Sequence, residues 1–126
     1  MNNIRVAKEL LKLARELTAG AYREKESLDD TRQNMEDESV RVLDVVLNLS
    51  PSARVVQKEF LVFSEGTSHK FHFFALYNDA GVMKAGNAYG RIGGRVTAIE
   101  IGRGSGAADE FNRKLRSKIN KGYHRT

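Results

Sequence analysis

Tyr89 and Arg91 flank a single glycine in the stretch GNAYGRIGGRVTAIEIGRG, residues 86–104. A phenol ring can stack on a sugar or a base, and a guanidinium can donate a charge-assisted fork of hydrogen bonds to a phosphate. Side chains alternate along a strand, so Tyr89 and Arg91 project to one face. Gly90 between them lets another backbone or a ligand approach closely. Arg95 and Arg103 follow, and Lys114, Lys118 and Lys121 recur at spacings of 4 and 3 further on, with Arg113 and Arg116 among them. The same pattern suits a core-edge tyrosine beside a solvated arginine near a tight turn, and both readings stand at this level.

Other chemistry finds less support. His69 and His72 are three apart in an extended run and so point to opposite faces. With no cysteine in the chain, a zinc site lacks its usual ligands. His69 is expected in solvent at a strand start and His72 on a partly wet face. No nucleophile elbow and no paired carboxylates occur in the second half of the chain, where Glu59 and Glu100 read as outward strand positions. The expectation is a protein with no catalytic role, no metal and no cofactor. The run Gly102-Arg103-Gly104-Ser105-Gly106-Ala107 resembles a dinucleotide fingerprint, but too few residues follow it to complete a βαβ unit. It reads as a loop that reverses the chain, or as a helix N-terminus able to take an anion.

The elements that must position these residues follow from periodicity. The chain has 126 residues, enough for one compact domain with an appendage. Residues 3–18 read as an amphipathic helix with Val6, Leu10, Leu13 and Leu17 at spacings of 4, 3 and 4,. Arg5–Glu9 and Lys12–Glu16 are ion pairs one turn apart on its wet face. Such a stripe must be buried, either on its own domain or against a protein partner or a second copy of the chain. The leader is similar to the starts of some tailed-phage proteins. Residues 21–38 are charge-rich and read as a linker or a solvated helix. In 39–49 the polar residues Arg41, Asp44 and Asn48 fall at spacings of 3 and 4, which predicts a second helix over about 31–49, stopped at Ser50-Pro51.

From residue 55 the pattern becomes β-branched and aromatic. RVVQKEFLVFSEG and HKFHFFALYNDAG predict two strands, and Phe71, Phe73, Ala75 and Tyr77 share one face of the second. Asn78–Gly81 turns the chain into a third strand, and GRVTAIEIG gives a fourth. The last helix begins near Ser105, a candidate cap, buries Ala108, Phe111, Leu115 and Ile119, and ends at Gly122. The fold class is α+β: a four-stranded antiparallel meander covered by a C-terminal helix and preceded by one or two N-terminal helices. Three segments result: a helix at 1–20, a charged linker with a second helix at 21–50, and a β-rich domain at 51–126.

Charge divides the chain. Residues 1–50 carry 8 Lys/Arg against 10 Asp/Glu, and residues 51–126 carry 13 against 6. A basic half is the electrostatic footprint of a polyanion binder. No apolar run approaches the ~20 residues needed to cross a bilayer, and the N-terminus lacks a signal-peptide core, so a cytoplasmic location is expected.

Taken in order, Lys70-Phe71, Tyr89-Gly90-Arg91-Ile92-Gly93, the strand 95–101, Phe111, Leu115, Lys118 and Lys121-Gly122-Tyr123 resemble the WGR domain over residues 55–123. That family is named for a Trp-Gly-Arg tripeptide on a strand. The resemblance implies a non-catalytic module. In poly(ADP-ribose) polymerases it binds DNA at strand breaks, packs its tryptophan on the sugar of a terminal nucleotide, and takes phosphates with basic residues. By position Tyr89 stands where the family has tryptophan, which keeps an aromatic platform but makes it smaller and adds a hydroxyl. Arg91 stands in the place of the motif arginine. The expected function is DNA binding at ends or nicks through Tyr89, Arg91, Arg95, Arg103, Lys114, Lys118 and Lys121. The alternative is a protein-interaction module that docks or dimerises through Val6, Leu10, Leu13 and Leu17.

Overall fold

The computed structural model describes residues 20–126, with side chains from Asp30 onward. The predicted helix at 3–18, with Val6, Leu10, Leu13 and Leu17, lies outside the described residues. The element order is α1 (Gly20–Val46), β1 (Arg54–Glu65), β2 (Ser68–Asp79), β3 (Val82–Arg91), β4 (Thr97–Arg103), a 3-10 turn (Gly104–Gly106), α2 (Ala107–Asn120) and β5 (His124–Arg125). The chain divides into two units, residues 1–37 and 38–126.

Of the two readings of 21–38, linker or solvated helix, α1 takes the second. It is continuous through the charge-rich 21–38 stretch rather than starting near residue 31. The reason is propensity: between Gly20 and Pro51 there is no glycine or proline, and Glu, Lys, Arg, Gln and Met are good helix formers. Local pairs add support, Arg32–Glu36 with its carboxylate buried and Arg41–Glu38 in solvent,. Burial along the helix recurs at Met35, Ser39 and Leu43 and continues at Leu47 just beyond its end.

The sheet is antiparallel with strand order β4-β3-β2-β1-β5. Its first four strands are the predicted meander. The turn at Ala80-Gly81 uses left-handed backbone at both residues, with φ of 52° and 86°, and Asn78 Oδ1 accepts a 2.8 Å bond from the Gly81 amide,. The fifth strand was not anticipated. It is two residues long, pairing Leu61 with Arg125 and Val62 with His124, too short for any periodicity to register.

Central strand β2 is buried on both faces, from Phe71 to Tyr77. One face packs under α2: Leu61, Phe74, Leu76 and Ala85 form a core with Ala107, Phe111 and Leu115. The close approach at this helix's start needs Gly102, because a Cβ there would lie 2.9 Å from Ala107 Cα. The opposite face, with Phe73, Ala75 and Tyr77, receives the end of α1. There a Cβ on Gly86 would lie 2.5 Å from Leu43 Cδ2. A buried polar clamp closes this side. Lys84 Nζ donates to Asp79 Oδ2 at 2.8 Å and to the Asn48 carbonyl at 3.1 Å. Ser50 donates to the same carboxylate from its amide and its hydroxyl. Hydrogen bonds from Lys84 and then Ser50 hold the Asp79 carboxyl down at about 2.

Helix α2 starts without the expected cap. Ser105 lies inside the 3-10 turn, and Gly106 occupies the cap position with no side-chain hydrogen bond. The glycine-rich run is therefore an ordered turn, and Asp109 and Glu110 in the first helical turn offset the exposed amides electrostatically,.

Candidate functional site

The ends of β2 and β3 hold Tyr89 and Arg91. Tyr89 sits directly across from His72, and Arg91 across from Lys70. Residues opposite each other on paired strands share a face, so Tyr89 and His72 lie side by side on the α2 face. Their rings stack, with centroids 5.3 Å apart and planes 21° apart. His72 also stacks on Phe74 at 5.8 Å and meets the Tyr123 ring edge-on at 5.0 Å. Tyr123 in turn tilts against Phe63 at 5.3 Å.

Tyr123 is placed by how α2 ends. Gly122 takes a φ of 106°, its amide donates to the Ile119 carbonyl, and the Tyr123 amide donates to the Lys118 carbonyl. This is a Schellman termination. The chain then reverses into β5, and the Thr126 amide bonds the Phe60 carbonyl. The sequence element Lys121-Gly122-Tyr123 thus acts as a hinge that returns an aromatic ring over the sheet.

His72 departs from expectation: it is buried rather than partly wet, at 8% exposure. Asn87 opposite Phe74 explains how an imidazole is tolerated there. With the Asn87 amide oxygen 3.1 Å away as acceptor, Nδ1 carries the proton and Nε2 remains an acceptor,. Burial lowers the imidazole from its usual 6.5 to about 4, the Asn87 bond opposes this, and Lys118 and Lys121 push further down. His72 is therefore neutral at neutral pH.

Gly90 has a definite reason to be glycine. A Cβ there would lie 2.2 Å from the Arg95 carbonyl oxygen. The close approach is made by the protein's own loop 92–96, which folds back with the Ile92 amide on the His69 carbonyl and the Gly94 amide on the Arg91 carbonyl. Arg95 is exposed within that loop.

These residues surround a depression of about 200 Å³ lined by His72, Tyr89 and Tyr123, by Phe71 and Gly90, and by Lys70 and Arg91. Lys118 lies over the Tyr123 ring with Nζ 6.0 Å from its centroid. Its ammonium is lowered by burial and by the neighbouring Lys121 and Lys114. Among the described residues no carboxylate forms a salt bridge with Lys70, Arg91, Arg95, Lys114, Lys118 or Lys121.

Arg103 is different. It lies opposite Lys84, on the face away from Tyr89, and Glu100 holds its guanidinium in a fork at 3.1 and 2.7 Å. Tyr89 and Arg91 thus line one depression and Lys118 stands over its Tyr123 ring, Lys121 lines a second depression with Arg113 and Arg116, Lys114 lies one turn back from Lys118, Arg95 sits on the loop that packs on Gly90, and Arg103 is separated. Lys70, His72 and Asn87 were not assigned from sequence. Counting back from the two-residue turn at 80–81 pairs 72 with 89 and 70 with 91, which is the signal that finds them.

His69 bonds Ser64 Oγ at 3.0 Å on the strand's other parity, and among the described residues no three His, Asp or Glu side chains gather as metal ligands. Among the same residues no helix is long and apolar enough to cross a membrane. Comparisons with protein-family models, curated proteins and solved structures return no match for this chain.

Proposed function

We propose that the β-rich unit is a non-catalytic DNA-binding module in which Tyr89 stacks while Arg91, Lys118 and Lys121 hold phosphates, with Lys114 and Arg95 at the margin. The observation that carries this reading is the arrangement of cations without carboxylate partners around a cluster of aromatic rings. Unneutralised cations that repel each other gain most from a polyanion. The resemblance to the WGR domain supports the same reading and adds the expectation of ends or nicks as targets.

Fluorescence anisotropy across a salt series, with nicked, blunt and single-stranded DNA, tests it. Affinity is expected to fall with salt as though about 3–5 phosphates were neutralised, and Tyr89→Ala to weaken binding by about 1–3 kcal/mol. Arg91→Ala is expected to reduce the salt slope by about one phosphate. Absence of binding to all three DNAs, or binding indifferent to salt, sinks the proposal.

A second reading rests on the leucine stripe Val6, Leu10, Leu13 and Leu17, which needs an apolar surface to cover it. It makes the chain an interaction module that dimerises or docks a protein through residues 3–18. Deleting residues 1–19 then converts a dimer to a monomer in sedimentation, and a monomer before and after deletion rejects it.

A further inference from the structure

We propose that the cavity between Tyr89, His72 and Tyr123 holds one unpaired base of a nucleic-acid strand, with backbone phosphates held on both sides of it, so that an unpaired base rather than a strand end is what the site selects. The inference rests on the DNA-binding reading above and specifies its ligand.

The cavity chemistry points to a flat, aromatic, anionic guest. Four of its lining residues bear rings, and three of them meet: Tyr89 stacks with His72 at 5.3 Å and Tyr123 stands edge-on to His72 at 5.0 Å. Rings of this kind bind any base through its π-face. The ionisable side chains around it are cationic or neutral, because His72 keeps its imidazole uncharged at neutral pH. A free carboxylate would repel the phosphates that come with a base, and the cavity lining has none.

The distribution of cations excludes the simplest guest. Lys70 and Arg91 approach from the sheet, where they are cross-strand neighbours one step beyond His72 and Tyr89. Lys118 approaches from the end of α2, with Nζ 6.0 Å from the Tyr123 ring centroid, and Lys121 stands at the cap that closes the same helix. A base in the cavity is thus bracketed by two cationic pairs on different elements. A mononucleotide has a phosphate for one of them. A nucleotide within a strand has a phosphate on either side and satisfies both.

A base inside a duplex is stacked and paired, and taking it out costs a few kcal/mol, least where it is already unpaired. The cavity should therefore prefer bulged or single-stranded positions, and no terminus is needed.

The test uses DNA without ends. The full chain is titrated against a covalently closed, fully paired dumbbell, the same dumbbell with one bulged nucleotide, and the same dumbbell with an abasic bulge. A free mononucleotide is titrated alongside. The bulged dumbbell is expected to bind about tenfold tighter than the paired one, with the abasic bulge losing that gain. Tyr123→Leu keeps an apolar group against Phe63 and should abolish the bulge preference without changing the salt slope. Lys121→Gln, on an exposed side chain, should lower the slope and keep the preference, so the result does not depend on how well the Tyr123 variant folds. Equal binding of the three dumbbells overturns the inference and leaves the DNA-binding reading standing. Binding of the mononucleotide as tight as the bulge overturns the two-sided arrangement. Failure to bind any DNA overturns both.

Discussion

The two faces of the sheet solve the same problem in opposite ways. Each places lysine near aromatic side chains at the margin of a core. On the α1 face Lys84 is buried and answered: Asp79 and the Asn48 carbonyl accept its hydrogen bonds, and Ser50 completes the carboxylate's bonds. On the α2 face Lys118 lies over Tyr123 with two lysines for neighbours and no carboxylate among the described residues in salt-bridge range. A half-buried cation without a partner gains from an anion, and a buried one already paired is not improved by a ligand. The comparison separates cations that hold the fold together from cations free to meet phosphate. Arg103 and Arg113, each forked to a glutamate, belong nearer to the first group despite their basic charge.

The largest way to disturb this comparison is to remove the floor of one face. Phe111 is fully buried under α2 and meets Phe74 edge-on at 6.2 Å. Phe111→Ala should destabilise the protein by about 3–5 kcal/mol, since the cavity left behind adds to the lost transfer energy. Urea unfolding measures it. Because α2 also delivers Tyr123, Lys118 and Lys121, DNA affinity should fall as well. Retained affinity in a destabilised but folded variant would mean the interface does not depend on α2.

Next in size is a pH effect confined to the α2 face. His72 in the folded state titrates near 4 rather than 6.5, so between those values the unfolded chain binds more protons than the folded one. Stability is then full above the unfolded value and falls as pH drops from about 6.5 to about 4, by roughly 2–3 kcal/mol. His72→Gln should flatten that window. Asp79 on the other face behaves in a separate range: its carboxyl is depressed to about 2 from 3.8, so its contribution is present above about 4 and is lost as pH falls towards 2. Urea midpoints across pH resolve the two windows, and overlap of the windows would break the assignment of one titration to each face.

How far the sequence reached follows the same division. The meander and the covering helix were legible because β-branched and aromatic runs closed by turn residues mark the strands, and the stripe Phe111, Leu115, Ile119 is a strong helical signal. Tyr89 and Arg91 on one face followed from strand parity alone. What was not legible depends on pairing at a distance. His72 belongs with Tyr89 only through the hairpin register, and its burial depends on Asn87 and on Tyr123 returning from the far end of the chain. Arg103 read as one more basic residue because nothing in its neighbourhood announces that Glu100 takes it. The first part of α1 stayed open between linker and solvated helix for a different reason: a stretch held helical by propensity and local ion pairs has little apolar rhythm to detect.

The two groups of cations can be told apart directly. Lys118→Gln with Lys121→Gln should weaken DNA binding about tenfold at moderate salt and lower the salt slope by about two phosphates. Arg103→Gln should leave both unchanged within error. The double variant should also be no less stable than the wild type, because removing like charges relieves the repulsion that lowers Lys118. An Arg103 variant as defective as the lysine pair would show that a forked arginine exchanges its glutamate for phosphate, and the distinction between the faces would fail.

The smallest effect tests whether the α1 face is as fully satisfied as its clamp suggests. Tyr77 is 4% exposed, and its hydroxyl is buried with no hydrogen-bond partner. Burial and then the nearby Asp44 raise the phenol above its usual value, so the group is neutral and contributes an unanswered O–H. Leaving such a group unmade costs about 1–3 kcal/mol, part of which Tyr77→Phe recovers by removing the oxygen. The variant should gain about 0.5–1 kcal/mol in urea unfolding. DNA affinity should not change, because Tyr77 lies across the sheet from Tyr89. A loss of stability would mean that the hydroxyl has a water-mediated partner. The clamp of Lys84, Asp79 and Ser50 would then extend through Tyr77 into the middle of the sheet.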